Sequence, residues 1–132
     1  LPKIINYILN KKVLTIHSNK NKTQAGSRFY IHAQDVADAI NFILKKGKIG
    51  EKYNIVGSKE LDNLQLAQIA SKHIGKKLKY KFLDFHSSRP GHDLRYALSG
   101  VKLKKMGWQP RKNIETRIKD TIDWTMQNKE WL

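Results

Sequence analysis

Arg89-Pro90-Gly91-His92-Asp93-Leu94-Arg95-Tyr96 puts two guanidiniums, an imidazole, a carboxylate and a phenol within eight residues. Pro90 fixes its own φ and pushes Arg89 toward an extended backbone. Gly91 can take angles that other residues avoid. The expected result is a sharply bent segment whose side chains suit an anionic ligand. A surface turn closed by an Arg–Asp ion pair would use the same residues. Arg28, Arg89 and Arg95 are three of only five arginines, each expected at the end of a loop or strand. A guanidinium is a flat, two-pronged donor that matches phosphate oxygens, so two that converge would clamp a diphosphate. The alternative is pairing with Asp84, Asp93 or another carboxylate.

Other chemistry finds less support. The histidines His17, His32, His73, His86 and His92 include no pair one helical turn apart, and cysteine is absent, so no metal centre is expected. Tyr7-x-x-x-Lys11 has the spacing at which a lysine lowers a tyrosine pKa and makes it a base. Five tyrosines in a lysine-rich chain produce such a match by chance, and Tyr7 reads as helix surface or core edge. There is no G-x-G-x-x-G and no Walker loop; Gly47 and Gly50 read as turn residues. No catalytic, cofactor-binding or metal-binding residue is therefore assigned.

The 132 residues suit one domain spanning positions 1–132, and 39% hydrophobic with 28% charged residues is the composition of a folded protein. No apolar run approaches the ~20 residues that cross a bilayer. The formal net charge of +15 favours anionic partners. That charge is mostly lysine spread along the whole chain, which equally describes a solvated surface, and a localised basic arm would speak more directly for nucleic acid.

The elements that must position these residues follow from periodicity and punctuation. Pro2 opens a helix with Ile4, Ile5, Ile8 and Leu9 at helical spacing. Positions 13–17 read as a strand, 18–27 as a mobile polar loop, and 28–32 as a second strand. A helix starts near Asp35, carries Val36, Ile40, Ile43 and Leu44 as one apolar stripe, and stops at Gly47. Positions 53–56 read as a strand. Asp62 or Asn63 caps a helix that ends at Gly75, and Leu78, Tyr80 and Phe82 alternate in the strand after it. Ser99 caps a short helix, and Asn113 caps the last one, with Ile114, Ile118, Ile122 and Thr125 or Met126 on one face. Trp124 and Trp131 are expected to pack back on the body. The fold class is α/β in the mixed α+β sense, with short strands covered by helices.

The chain resembles the C-terminal part of the extended short-chain dehydrogenase/reductase family, and within it the dTDP-glucose 4,6-dehydratases. The resemblance is carried by Arg89 through Tyr96, then Lys102, Gly107-Trp108-Gln109-Pro110 and Thr121-Ile122-Asp123-Trp124. Pro2 with its helix, Arg28 through Asp35, Gly50 through Ile55, and Asn63 support it in family order. Three departures stand out. Ser88 replaces the usual aspartate, Phe29-Tyr30 replaces a polar residue followed by tryptophan, and the connection from His17 to Arg28 is longer. The first and last leave the nucleotide base open.

The resemblance implies a small C-terminal substrate-binding domain, with the Rossmann domain absent from this chain. It implies the nucleotide-sugar-binding portion of an NAD-dependent sugar 4,6-dehydratase, a lyase that turns an NDP-hexose into its 4-keto-6-deoxy sugar. An NDP-sugar epimerase of the same family and a basic nucleic-acid-binding module are the alternatives. It assigns Arg28, Asn63, Arg89, Pro90, Gly91 and His92 to the substrate, with Arg28 and Arg89 on the diphosphate. NAD would be bound by the missing N-terminal domain, so this chain alone is expected to be inactive. A cytoplasmic homodimer is expected for the whole enzyme, without membrane or nucleic acid as partner. The chain alone should also expose an apolar face.

Overall fold

The computed structural model describes residues 1–88 and 93–132. The expectations for Arg89, Pro90, Gly91 and His92 lie outside the described residues.

Helix α1 (Pro2–Leu9) has proline in its first turn and buries Ile5 and Ile8. Strand β1 (Val13–Ser18) alternates, with Leu14, Ile16 and Ser18 turned inward. It pairs in parallel with β4 (Lys79–Asp84), from Val13 opposite Lys79 to Ser18 opposite Asp84. A second sheet has the order β3-β2-β5. Its central strand β2 (Ser27–Phe29) runs antiparallel to β3 (Glu60–Asp62) and parallel to β5 (Arg95–Tyr96). Helices α2 (Ala33–Lys46), α3 (Asn63–Ile74), α4 (Phe85–Ser88), α5 (Val101–Lys105) and α6 (Ile114–Gln127) complete the fold.

The main core joins α1, β3, α3 and α6 through Ile5, Ile8, Leu61, Leu66, Ala70, Ile114, Ile118 and Ile122. A second cluster of Leu14, Ile16, Ala25 and Ala67 fastens the parallel pair to α3. The helix ends follow local chemistry. Asp62 and Gln65 form a reciprocal capping box, with Gln65 N–H on Asp62 Oδ1 at 2.7 Å and Asp62 N–H on Gln65 Oε1 at 2.9 Å. Asn113 Oδ1 accepts from Thr116 N–H at 2.8 Å and starts α6.

Several expectations need correction. The second strand covers Ser27–Phe29 rather than 28–32, and positions 53–56 form no strand. The sheet is completed instead by β3 and β5, three and two residues long, which pair with β2 over long sequence separations. Helix α2 begins at Ala33 with His32 as its cap, His32 Nδ1 accepting from Gln34 N–H at 3.1 Å. The cap of α5 is Gly100, without a side-chain bond from Ser99. The loop after β1 is closed around Asn19, whose Oδ1 accepts from Thr23 N–H at 2.9 Å and Gln24 N–H at 3.1 Å. Trp124 and Trp131 do not cover the body. Both are exposed and lie against each other, ring centroids 6.0 Å apart.

Helix α2 is oriented by its ion pair rather than by its apolar stripe. Asp35 and Ala39 are buried, whereas Ile40 and Leu44 are 48% and 78% exposed. Ile40 and Leu44 on α2, and Ile49 in the turn that follows it, are thus large apolar side chains exposed to solvent.

Candidate functional site

The pairing register of β2 sorts the site residues between two faces, because side chains alternate along a strand. Arg28 lies opposite Leu61 on one side and Tyr96 on the other. The register puts these three on one face, Leu61 buried in the main core and Arg28 and Tyr96 exposed. Ser27, Glu60 and Arg95 occupy the opposite face. There Arg95 grips Glu60 with two bonds, Nε to Oε1 at 2.8 Å and Nη2 to Oε2 at 2.9 Å, and Ser27 Oγ donates to Oε1 at 2.6 Å. Arg95 is therefore a strand-tying residue, with Glu60 as the carboxylate that residue type alone did not identify.

The Arg95 hydrogen bonds, and after them the one from Ser27, hold the Glu60 carboxyl below its ordinary pKa. A folded-state pKa lower than the unfolded one stabilises the protein above the ordinary carboxylate range. That contribution is lost as pH falls through that range to the depressed value. The melting temperature should fall on acidification from neutral pH through that range. Glu60→Gln should start lower at neutral pH and change less. A Glu60→Gln protein with the wild-type melting temperature at pH 7 would show that the network does not hold the sheet.

Arg28 is in a different position. Arg111 pairs with Asp38 at 3.0 Å, Arg117 with Asp35 at 2.5 Å, and Arg95 with Glu60. Among the described residues, Arg28 has no carboxylate partner. Its guanidinium carbon lies 5.9 Å from the Tyr30 ring centre and 5.3 Å from that of Tyr96. Two aromatic faces steady the cation electrostatically without consuming its N–H donors. Beside it, at the β5 edge of the sheet, opens a cavity of about 510 Å³ lined by Arg28 and Tyr96 and also by Phe29, Asp93 and Arg95, so it reaches residues of both faces.

Asn63, the first residue of α3, is joined to this patch by Tyr30. The Tyr30 hydroxyl donates to Asn63 Oδ1 at 2.5 Å. Asn63 N–H donates to the Gly26 carbonyl at 2.9 Å, and Ser27 N–H to the Leu94 carbonyl at 2.9 Å. Gly26 is crowded where these strands meet: a Cβ there would lie 3.2 Å from Leu94 O and 3.4 Å from Asn63 Nδ2. Tyr30 itself is held by close backbone approach, since a Cβ on Gly57 would lie 1.9 Å from the Tyr30 carbonyl oxygen.

Of the predicted site residues, Arg28 and Asn63 are thus brought to one patch. Tyr30 and Tyr96 are parts of it that sequence reasoning did not assign. Their signal was the alternation of Arg28 with Tyr30 and the tyrosine that closes the Arg89–Tyr96 stretch. Lys102, one of the lysines that a basic nucleic-acid-binding module would use, is instead bonded to Glu51 and to the Lys52 carbonyl and sits 4.2 Å over the Tyr53 ring.

No protein-family model matches the chain. It is 38% identical over 131 residues to the trifunctional UDP-glucose 4,6-dehydratase/UDP-4-keto-6-deoxy-D-glucose 3,5-epimerase/UDP-4-keto-L-rhamnose-reductase of Arabidopsis thaliana, covering 99% of this chain and 19% of that protein. It is 35% identical over 141 residues to an Escherichia coli dTDP-glucose 4,6-dehydratase, covering 99% of this chain and 38% of that enzyme. The fold is that of part of the Bacillus anthracis dTDP-glucose 4,6-dehydratase crystallised with NAD. The TM-score is 0.81 at 29% identity, over 98% of this chain and 40% of that one. The chain spans at most about two fifths of the length of the relatives it matches.

Proposed function

Because this chain has the sequence and the fold of the C-terminal part of an extended short-chain dehydrogenase/reductase of the dTDP-glucose 4,6-dehydratase group, we propose that it is the nucleotide-sugar-binding portion of an NAD-dependent sugar 4,6-dehydratase. The parent enzyme would remove water from an NDP-hexose to give the 4-keto-6-deoxy sugar. The observation that carries this reading is the Arg28 guanidinium, set against two tyrosine rings beside an open cavity and, among the described residues, in ion-pair contact with no carboxylate.

A diphosphate is remote from the sugar carbons that react. Gripping it contributes by orientation, spending binding energy to fix the reacting end of the substrate. Asn63 adds a neutral donor beside Arg28. We assign Arg89, Pro90, Gly91 and His92 to the same site, with Arg89 as the second diphosphate partner. In support, the chain passes from that stretch into β5, and β5 places Tyr96 opposite Arg28.

The residues present do not form a dinucleotide site, since the sequence has no G-x-G-x-x-G turn. NAD is therefore assigned to the remaining part of the parent enzyme, and no step is routed through these residues. The reading carries with it a cytoplasmic homodimer for the parent.

The test is turnover. The full-length gene product, supplied with NAD and with dTDP-glucose or UDP-glucose, should release a 4-keto-6-deoxy sugar nucleotide, while these 132 residues alone should release none. A full-length protein that neither binds a nucleotide sugar nor forms this product would overturn the reading.

A further inference from the structure

We propose that Tyr30 is the positioning residue of this site, its ring steadying the Arg28 guanidinium while its hydroxyl fixes the rotation of the Asn63 amide. This role rests on the reading of the site as a diphosphate grip, and adds to it the Tyr30 hydroxyl and its bond to Asn63.

The geometry has three parts. First, Tyr30 alone among the described residues touches both candidate ligand groups, Arg28 through its ring at 5.9 Å and Asn63 through its hydroxyl at 2.5 Å. Second, the hydroxyl decides which end of the amide is free. An asparagine amide can turn over and exchange its acceptor and donor ends. With Oδ1 occupied by Tyr30, Nδ2 is turned toward Gly26, and no described residue accepts a hydrogen bond from it. Asn63 is half-buried, so a free donor there calls for an acceptor, and an ionised phosphate oxygen is an acceptor only. Third, Tyr30 cannot drift, because Gly57 packs directly on its carbonyl and its ring lies against the main core.

The phenol also remains a donor through neutral pH. Burial pushes its pKa above the ordinary value, with Arg28 pulling it down and Asp62 adding to the rise. Phenylalanine would keep the ring under Arg28 and lose the lock on Asn63. The tryptophan expected at this position from the resemblance would keep a ring but carries no hydroxyl.

Because Tyr30 acts through two other residues, its test is a pair of double-mutant cycles in the full-length gene product. The readouts are affinity for UDP and dTDP by calorimetry, with KM and kcat measured separately. Tyr30→Phe should weaken nucleotide binding about 3- to 10-fold, the range of one neutral hydrogen bond. KM should rise, with kcat and melting temperature little changed. In an Asn63→Ala background the same substitution should weaken binding no further. Tyr30→Leu should weaken binding a further ~2- to 5-fold through loss of the cation–ring contact. That extra loss should vanish in an Arg28→Ala background.

Wild-type affinity in Tyr30→Phe, or a loss that persists unchanged without Asn63, overturns the positioning role and leaves the site reading intact. Failure of the wild-type protein to bind any nucleoside diphosphate overturns the site reading and this role with it.

Discussion

Asp35→Asn should lower the stability of the fold by about 3–5 kcal/mol, the usual cost of leaving one member of a buried ion pair without its partner. Asp35 and Arg117 are 2% and 6% exposed, and they meet through two bonds, Nη2 to Oδ1 at 2.5 Å and Nε to Oδ2 at 2.8 Å. Arg117 Nη1 also donates to Gln34 Oε1 at 2.9 Å. Asparagine preserves the shape and removes the charge. The guanidinium would then remain out of water with only the more distant carboxylates of Asp120, 3.9 Å away, and Asp38, both partly exposed, to offset it. The pair ties α2 to α6, and with Ile40 and Leu44 exposed and Val36 and Ile43 only half-buried, hydrophobic burial of α2 offsets only part of its loss. Small domains have about 5–15 kcal/mol in all, and the loss would take a large share. Urea unfolding should show a lower midpoint at unchanged slope. A loss below about 1 kcal/mol would mean that water reaches Arg117 and that α2 is held some other way.

Arg28→Ala should act on the ligand and leave the fold alone. Removing one charged hydrogen-bond partner typically costs about 1.5–3 kcal/mol, or about ten- to a hundredfold in affinity for a nucleoside diphosphate. Arg28 is exposed and makes no ion pair among the described residues, so the melting temperature should stay within a degree or two of wild type. Arg28→Lys should recover little, because an ammonium lacks both the two-pronged donor and the flat face that lies on Tyr30 and Tyr96. Calorimetric titration of the full-length gene product with UDP and dTDP checks each point. Arg95→Ala is the contrasting control. It breaks the bond to Glu60 on the other face of the sheet, and should reduce stability more than affinity.

The contrast between Arg28 and Arg95 marks what the residues disclosed and what they withheld. The helices were legible because their signals are local. Pro2, the Asp62–Gln65 box, Asn113 and the Ile114–Ile118–Ile122 spacing each act within one or two turns. The sheet that carries the site was not. Strands of two or three residues are too short for an alternating pattern to be recognised in the sequence, and their pairings join Arg28 to Leu61 and Tyr96 across long stretches of chain.

Residue type placed Arg28 and Arg95 in the same class, as phosphate donors with an ion pair as the alternative. The register separates them, because opposite faces of one pleated sheet give one arginine a carboxylate and the other two aromatic rings. Positions 53–56 have the right residues for a strand, but they meet the 99–100 segment through the Asn54 side chain and Val56 and form no strand there. The tryptophans failed for another reason: a large aromatic at the end of a chain buries itself only where a surface awaits it, and Trp124 and Trp131 have found each other.

The most direct measurement is a structure of the full-length gene product with a nucleoside diphosphate bound. It should show a phosphate oxygen within hydrogen-bonding distance of the Arg28 guanidinium, about 3 Å, on the face of β2 that carries Tyr30 and Tyr96. A diphosphate seated on the Glu60–Arg95 face, or anywhere that leaves Arg28 in solvent, would contradict it.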